Sequence, residues 1–335
     1  MSVPYSMEKK LQRRLEVIAL AKFMFIFLIL PFLSLAVVGY VLLFTRLWWL
    51  MALYLVWLCY DWNIGELGSR PLEWYRNHRI WDKMANYFPA NLIKTVDLPA
   101  DRNYLFGCHP HGILSIGVFV NFCTNGTQFS SKFPGIRSYA ASLPSQFYYP
   151  WRHEIVSALG VICSSVTGIS KILSRSKGGN AVCLVVGGAE EALDSHRDNY
   201  TLCLKNRKGF IKLALRQGAS LVPVYSFGET ELFTQFENPK GSRLREFQSL
   251  FKKRVGVAPV LFYGSSLFGN QNGLLPHRNR LITVVGSPIH LTQTPEPTQE
   301  EIDATHAKYV AALVQLFEEN KYRYDIPEDH HLFIN

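Results

Sequence analysis

One run of residues near the start restricts the fold more than any other feature. Val17 to Phe44 reads VIALAKFMFIFLILPFLSLAVVGYVLLF, with Lys22 as its only charge. After Thr45-Arg46 the apolar character resumes, from Leu47 to Tyr60. A helix needs roughly 20 apolar residues to cross a hydrocarbon core. The run therefore suits two short crossings, or one hairpin that enters a bilayer and returns, with Pro31 or Gly39 as its kink or turn. A cleaved signal peptide fits this run poorly, since its apolar core spans only about 7–15 residues and no small-x-small site follows.

The flanking charges set the orientation. Lys9, Lys10, Arg13 and Arg14 precede the run, and Arg70, Arg76, Arg79 and Lys83 follow it. Basic flanks stay in the cytosol, so both ends belong there. The expected organisation is a membrane anchor over residues 1–62 and a cytosolic domain over 63–335. The sequons at Asn125 and Asn199 should then carry no glycan. Cys59, Cys108, Cys123, Cys163, Cys183 and Cys203 form no C-x-x-C pair and lie mostly in apolar runs. They read as reduced, buried thiols, and no Cys/His spacing suits a zinc site.

Past Asn103 short apolar runs alternate with helical patterns. Tyr104–Cys108, Ala181–Val186, Ser220–Phe227, Pro259–Tyr263 and Leu281–Gly286 read as strands, most of them buried on both faces. Lys208–Gln217 reads as a helix closed by Gly218. A last helix starts at Thr298, with Glu301 completing a capping box. It runs to about Lys321, with Tyr309, Leu313 and Leu316 on one face. The alternation predicts an α/β fold, a sheet covered by helices.

The first strand runs into His-Pro-His-Gly, His109 to Gly112. Two imidazoles thus stand at the carboxyl edge of a strand, where α/β proteins place their sites. A neutral imidazole, with an ordinary pKa near 6.5, can take a proton from an alcohol. Pro110 stiffens the turn and Gly112 lets a substrate approach the backbone. Ile113 to Phe122 is either a helix or a membrane-facing segment. The strand at Ala181 runs into Gly187-Gly188 and then Glu190 and Glu191, on the same edge if the two strands are parallel. Either glutamate can orient a histidine base or simply favour the dipole of the next helix. Lys208, Lys212 and Arg216 make a basic stripe beside Arg207. It is either a phosphate-binding face or a solvated one. The net charge of +9 suits an anionic partner, and with 48% hydrophobic and 18% charged residues lipid or a phosphate-rich small molecule fits better than nucleic acid, for which no recognition module is present.

These blocks resemble those of the type-two diacylglycerol and monoacylglycerol acyltransferase family, which includes wax-ester synthases. The resemblance covers nearly the whole chain. It rests on YFP at Tyr87–Pro89, HPHG at His109–Gly112, FPGIR at Phe133–Arg137 and GGAEE at Gly187–Glu191. RKGFIKLALRQGASLVPVYSFGE at Arg207–Glu229 is the most specific block, and TVVGSPI at Thr283–Ile289 closes the match. It implies a mixed sheet with flanking helices, like that of the glycerolipid acyltransferases, behind a transmembrane hairpin. It also implies acyl transfer from acyl-CoA to a lipid hydroxyl, in the endoplasmic reticulum membrane and at lipid droplets. Acyl-CoA is then a co-substrate, no cofactor is needed, and self-association stays open.

Related glycerol-phosphate acyltransferases pair a histidine with an aspartate in H-x-x-x-x-D. Here Leu114 and Ile116 hold those places, and the family's GGAxE pattern points to Glu191 as the carboxylate. The expected catalytic set is His111 as base, His109 holding the turn or the oxyanion, and Glu191 orienting His111. Pro110, Gly112, Gly187 and Gly188, with Arg207, Lys208 and Lys212, are the expected substrate contacts. Two departures stand out: Gly264–Ser266 reads GSS where the family usually has GRG, and PWRHE puts His153 at a usual arginine position. The acceptor is diacylglycerol, monoacylglycerol or a long-chain alcohol, with diacylglycerol preferred as the family's commonest. A lipid-droplet protein that has lost activity is the rival reading.

Overall fold

A computed structural model describes residues 5–266 and 273–335. Its centre is a seven-stranded sheet. The strands are β1 (Asn91–Lys94), β2 (Asn103–His109), β3 (Arg137–Ser142), β4 (Val161–Cys163), β5 (Asn180–Val185), β6 (Ser220–Phe227) and β7 (Ile282–Val285). Their order is β1-β7-β6-β2-β5-β3-β4. Neighbours run parallel, except that β7 lies antiparallel to β6. Central β2 pairs Cys108 with Val185 of β5 and His109 with Tyr225 of β6. All of β6 is buried, as is β2 after Asn103. Such strands lack alternation because both faces meet helices.

The first helix, α1 (Tyr5–Met24), passes through a π-helical turn, Phe25–Ile29, into α2 (Leu30–Phe44); α3 (Trp48–Tyr60) follows. Chain reversal comes at Thr45–Leu47, where the Leu47 N–H donates to Thr45 Oγ1 at 3.2 Å. This corrects the expectation of a turn at Pro31 or Gly39. Pro31 has no N–H to give. The helix takes that up in the wide turn just before it, where the Leu30 N–H reaches the Phe25 carbonyl. The helix from Glu8 to Phe44, 37 residues, is long and apolar enough to cross a membrane. At 13 residues, α3 spans only about 20 Å at 1.5 Å per residue.

The apolar run divides where sequence shows no seam. Ala19, Leu20, Phe23 and Met24 are buried in the core of the domain, and Phe23 meets the Phe119 ring at 4.6 Å. Glu16 pairs with Arg278 at 2.7 Å. Beyond Pro31 the outward side chains Phe32, Leu43 and Phe44, and Leu53, Val56 and Tyr60 of α3, are exposed. The foot of α3 is also fastened. Tyr54 Oη donates to Glu154 at 3.0 Å and accepts the Trp151 N–H at 2.8 Å. The His153 ring lies between the Phe147 carbonyl, 2.9 Å from Nδ1, and Asp61, 3.0 Å from Nε2. The departure at residue 153 therefore still places a ring nitrogen against a carboxylate. At the other departure, Gly264 and Ser265 pair with Gly273 and Leu275.

The remaining helices of interest are α4 (Ile80–Tyr87), packed on α1, α5 (Gly188–Leu193), α6 (Gly209–Gln217), α7 (Arg243–Val255) and α8 (Gln299–Asn320). Gly218 closes α6 in a left-handed conformation, and α8 has the expected Thr298–Glu301 capping box. Pro259–Tyr263 does not join the sheet. Only Phe262–Tyr263 is extended, and it pairs with Thr234–Gln235 in a separate ribbon. Pro259 cannot donate to a ladder, and its carbonyl is taken by Gln248 at 3.1 Å. Segment 116–123 is a buried helical stretch, so of the two alternatives for Ile113–Phe122 the structure has the helix, from Ile116 on. Cys59 is exposed on α3, while Cys108, Cys123, Cys163 and Cys183 are buried.

Candidate active site

β2 delivers the HPHG turn to the carboxyl edge of the sheet, through a cis His109–Pro110 bond and Gly112 at φ 61°. Its two imidazoles have opposite surroundings. His109, the last strand residue, is 1% exposed. Its Nε2 lies 3.0 Å from Tyr309 Oη of α8, whose hydroxyl donates to the Gly107 carbonyl at 3.1 Å. The ring therefore donates through Nε2. Nδ1 keeps its lone pair and has no partner among the described residues. Burial pushes the His109 pKa down to about 3, so the ring is neutral. A side chain at Gly107 would put its Cβ 1.9 Å from Tyr309 Oη, so this contact needs glycine there.

His111 is half-buried. Its Nδ1 lies 3.0 Å from the Gly112 carbonyl. A carbonyl only accepts, so the proton sits on Nδ1 and the lone pair on Nε2. Burial lowers this pKa as well. The rest of the turn is clamped: the His111 carbonyl accepts from Ser115 Oγ at 2.9 Å.

Glu191 lies against the turn, as the family pattern implies, but grips the main chain. Its Oε1 accepts the His111 N–H at 2.7 Å and its Oε2 the Cys203 N–H at 3.2 Å. Its contact is with the His111 main chain and not the ring, whose N–H meets the Gly112 carbonyl. Glu191 sits in the first turn of α5, and side chains there lean toward the helix start. The carboxylate thus folds back over Gly187, where any Cβ would lie 1.8 Å from Oε2. Burial outweighs the two amide donors and raises its pKa to about 7. Glu190 turns away, to Arg245 and Lys252.

A third carboxylate escaped the sequence reading. Glu229, just past β6 and Gly228, is fully enclosed beside Gly112. Its two oxygens accept the Ile116 and Gly117 N–H groups at 2.8 and 2.7 Å. Burial again raises the pKa to about 7. Its signal was present, a glutamate past a glycine at a strand end, as for Glu191. Using it required knowing that β6 adjoins β2.

The basic residues are not one stripe toward this turn. Exposed Arg207 reaches the Gly187 carbonyl at 3.5 Å. Lys208 pairs with Asp303 of α8 at 2.7 Å. Lys212 points to solvent from α6. Gly188 opens α5 at φ 62° with open space where a Cβ would lie. Cys108 is buried within β2, its Sγ 3.8 Å from the Phe106 carbonyl. Among the described residues no group of three His, Cys, Asp or Glu side chains could hold a metal. A cleft of about 400 Å³ lined by Arg76, Asn125, Arg137 and Asn180 opens at the opposite, amino edge of the sheet, away from HPHG.

The geometry offers an imidazole with its lone pair on Nε2, on a turn held by hydrogen bonds from Ser115 and to Glu191, suited to removing a proton from a hydroxyl. A family model described as diacylglycerol acyltransferase matches residues 40–335. The chain is 44% identical to 2-acylglycerol O-acyltransferase 1 of Bos taurus, over 95% of each chain. It is 42% identical to diacylglycerol O-acyltransferase 2 of Homo sapiens, over its whole length and 86% of that protein. The crystal structure of a 1-acyl-sn-glycerophosphate acyltransferase from Thermotoga maritima aligns over 95% of this chain and 99% of that one, with 12% identity and a TM-score of 0.43. On the extent of the family match and of these identities, the chain belongs to the diacylglycerol acyltransferase family.

Proposed function

We propose that the chain transfers a fatty acyl group from acyl-CoA to the free hydroxyl of diacylglycerol, making triacylglycerol, with His111 as general base. The observation that carries this is the fixed tautomer of His111, whose Nδ1–H is held by the Gly112 carbonyl. Nε2 takes the hydroxyl proton while the oxygen attacks the thioester carbonyl. The tetrahedral intermediate collapses with cleavage of the carbon–sulfur bond, and the imidazolium returns the proton to the CoA thiolate. Thioesters are already activated and a bound alcohol gains from proximity, so no acyl-enzyme is needed. Cys108, sealed in a strand, is a poor nucleophile. The Tyr309 contact supports His109 as holder of the turn rather than oxyanion donor. Glu191 and Glu229 hold the backbone on which His111 rides.

The exposed cations Arg207 and Lys212 suit the CoA phosphates; Lys208 would have to leave Asp303 to join them. Pro110, Gly112, Gly187 and Gly188 form the backbone beside which substrate lies. In this reading α2 and α3 form a hairpin in the endoplasmic reticulum membrane. Both feet, at Leu20–Phe23 and Tyr54–Asp61, are fastened to one domain, which supports entry and return on the cytosolic side. The same hairpin would suit the monolayer of a lipid droplet.

Monoacylglycerol is the second reading, favoured by the 44% identity to the 2-acylglycerol enzyme. Microsomes containing the protein, given labelled oleoyl-CoA and each acceptor in turn, decide it. Triacylglycerol from diacylglycerol is expected at the highest kcat/KM. A preference for monoacylglycerol or a long-chain alcohol would reassign the acceptor, and no ester at all would favour the inactive lipid-binding rival.

A further inference from the structure

Helix α7 is turned inside out. Facing the domain it is polar. Arg245 and Gln248 are 5% and 1% exposed. Arg245 reaches the Leu193 carbonyl at 2.7 Å and Asp194 at 2.8 Å, Gln248 meets Asn238 at 2.9 Å, and Lys252 pairs with Glu190. Facing outward it is apolar, with Phe247, Leu250 and Phe251 at 59%, 52% and 38% exposure. Phe236 and Leu261, joined by a backbone hydrogen bond of 3.0 Å, and Val257 extend the patch at 53%, 49% and 39%. A helix facing water shows the reverse pattern, and an apolar patch with a polar rim marks a surface that is covered in use. The exposed rim carries Arg243, Lys253 and Arg254 against Glu246.

We propose that α7 lies in the plane of a lipid leaflet bearing anionic headgroups, as a second membrane contact beside the hairpin. This rests on the reading of the chain as a membrane enzyme and adds how the lipid acceptor reaches it. Three observations favour lipid over a second copy or another protein. Aromatic and leucine side chains rimmed by Arg and Lys match the acyl–headgroup boundary, the cations reaching outward to phosphate. Phe262, next to Leu261 of the patch, meets the Phe233 ring at 4.8 Å, and Phe233 shares one core with Leu20 and Phe23 of α1, so the patch borders the core into which the membrane helix packs. Finally, the inward face of α7 grips Glu190 of α5 and Asp194 at its end, on either side of Glu191. Lipid contact is thus tied to the element that holds the HPHG turn.

The test reconstitutes the full chain in phosphatidylcholine nanodiscs, with and without phosphatidylserine, using lipid that carries a photoactivatable diazirine in its acyl chain. Labelled peptides are mapped by mass spectrometry. Label is expected on α2 and α3 and, separately, on Phe247–Phe251. The α7 label should rise with phosphatidylserine and fall with salt, since each basic residue near an anionic surface is worth about fivefold in partitioning. Phe247→Glu with Leu250→Glu, both at exposed positions, should abolish label on α7 alone. It should raise the KM for diacylglycerol several-fold and leave that for acyl-CoA unchanged. The milder Lys253→Glu with Arg254→Glu should remove only the phosphatidylserine-dependent part. Labelled hairpin with silent α7, or α7 linked to a second copy of the chain, overturns this proposal and leaves the enzyme reading standing. Silence at both sites overturns the membrane reading as well.

Discussion

At His111 one hydrogen bond, Nδ1–H to the Gly112 carbonyl, decides which nitrogen is the base. The turn that carries this bond is held by carboxylates whose work depends on pH. As a carboxylate, Glu229 accepts two N–H groups; once protonated, one oxygen becomes a donor facing a donor. With its pKa at about 7, the turn is better held above neutrality. We expect kcat to rise with pH across neutrality in the native chain, and Glu229→Gln to lower kcat and flatten that rise, since glutamine can satisfy only one of the amides. Stability should move the other way. The raised pKa means the folded chain keeps a proton that the unfolded chain releases near 4.5. The stability this gives is full below 4.5 and lost as pH rises through about 7. The Tm of Glu229→Gln relative to the native chain should therefore climb from pH 5 to pH 8, read by thermal unfolding in detergent beside kcat. A constant Tm difference would contradict it. The HPHG turn and Glu191 were legible in the sequence because each is a short block at a strand end. The Tyr309–His109 contact, 200 residues apart, was not, because nothing local encodes which strand lies beneath α8.

Elements were legible in proportion to their apolar run. β2, β5, β6 and β7 announce themselves because both faces are buried. Arg137–Ser142, RSYAAS, is just as central to the sheet's outer half, yet its mixed composition hides it. The capping box placed the start of α8, whereas the reversal in the apolar run was misplaced, since a proline absorbed by a π-helical turn reads in sequence like a chain break. The basic stripe of α6 shows the same limit. Its spacing was right, but Asp303 on α8 had already claimed Lys208. Lys212→Glu should therefore raise the KM for acyl-CoA by roughly one to two decades, the equivalent of ~1.5–3 kcal/mol for a charge-assisted contact. Lys208→Ala should raise it less. Initial rates with acyl-CoA varied at fixed acceptor test this; an increase confined to the acceptor KM would remove Lys212 from the CoA site.

At the scale of the whole molecule, anchor and domain are not separable at residue 62. Removing residues 1–62 would strip Ala19, Leu20, Phe23 and Met24 from the core, leaving a domain that should aggregate on size-exclusion chromatography even in detergent. A monodisperse, folded fragment would contradict this. With both feet of the hairpin on one domain, tags at both termini should be digested by protease added to intact microsomes, and Asn125 and Asn199 should show no glycosidase-sensitive shift. The central claim is that a His111-activated hydroxyl attacks acyl-CoA directly, and single-turnover transfer from labelled oleoyl-CoA to diacylglycerol tests it most directly. The full chain in nanodiscs is compared with its His111→Ala and Cys108→Ala variants, following both labelled triacylglycerol and labelled protein. General-base catalysis is worth ~10²–10⁴-fold. The account predicts a loss of that size in His111→Ala with oleoyl-CoA binding retained, near-native turnover in Cys108→Ala, and no labelled protein at any time. A labelled acyl-enzyme on Cys108, or a His111→Ala chain that turns over at the native rate, would contradict it.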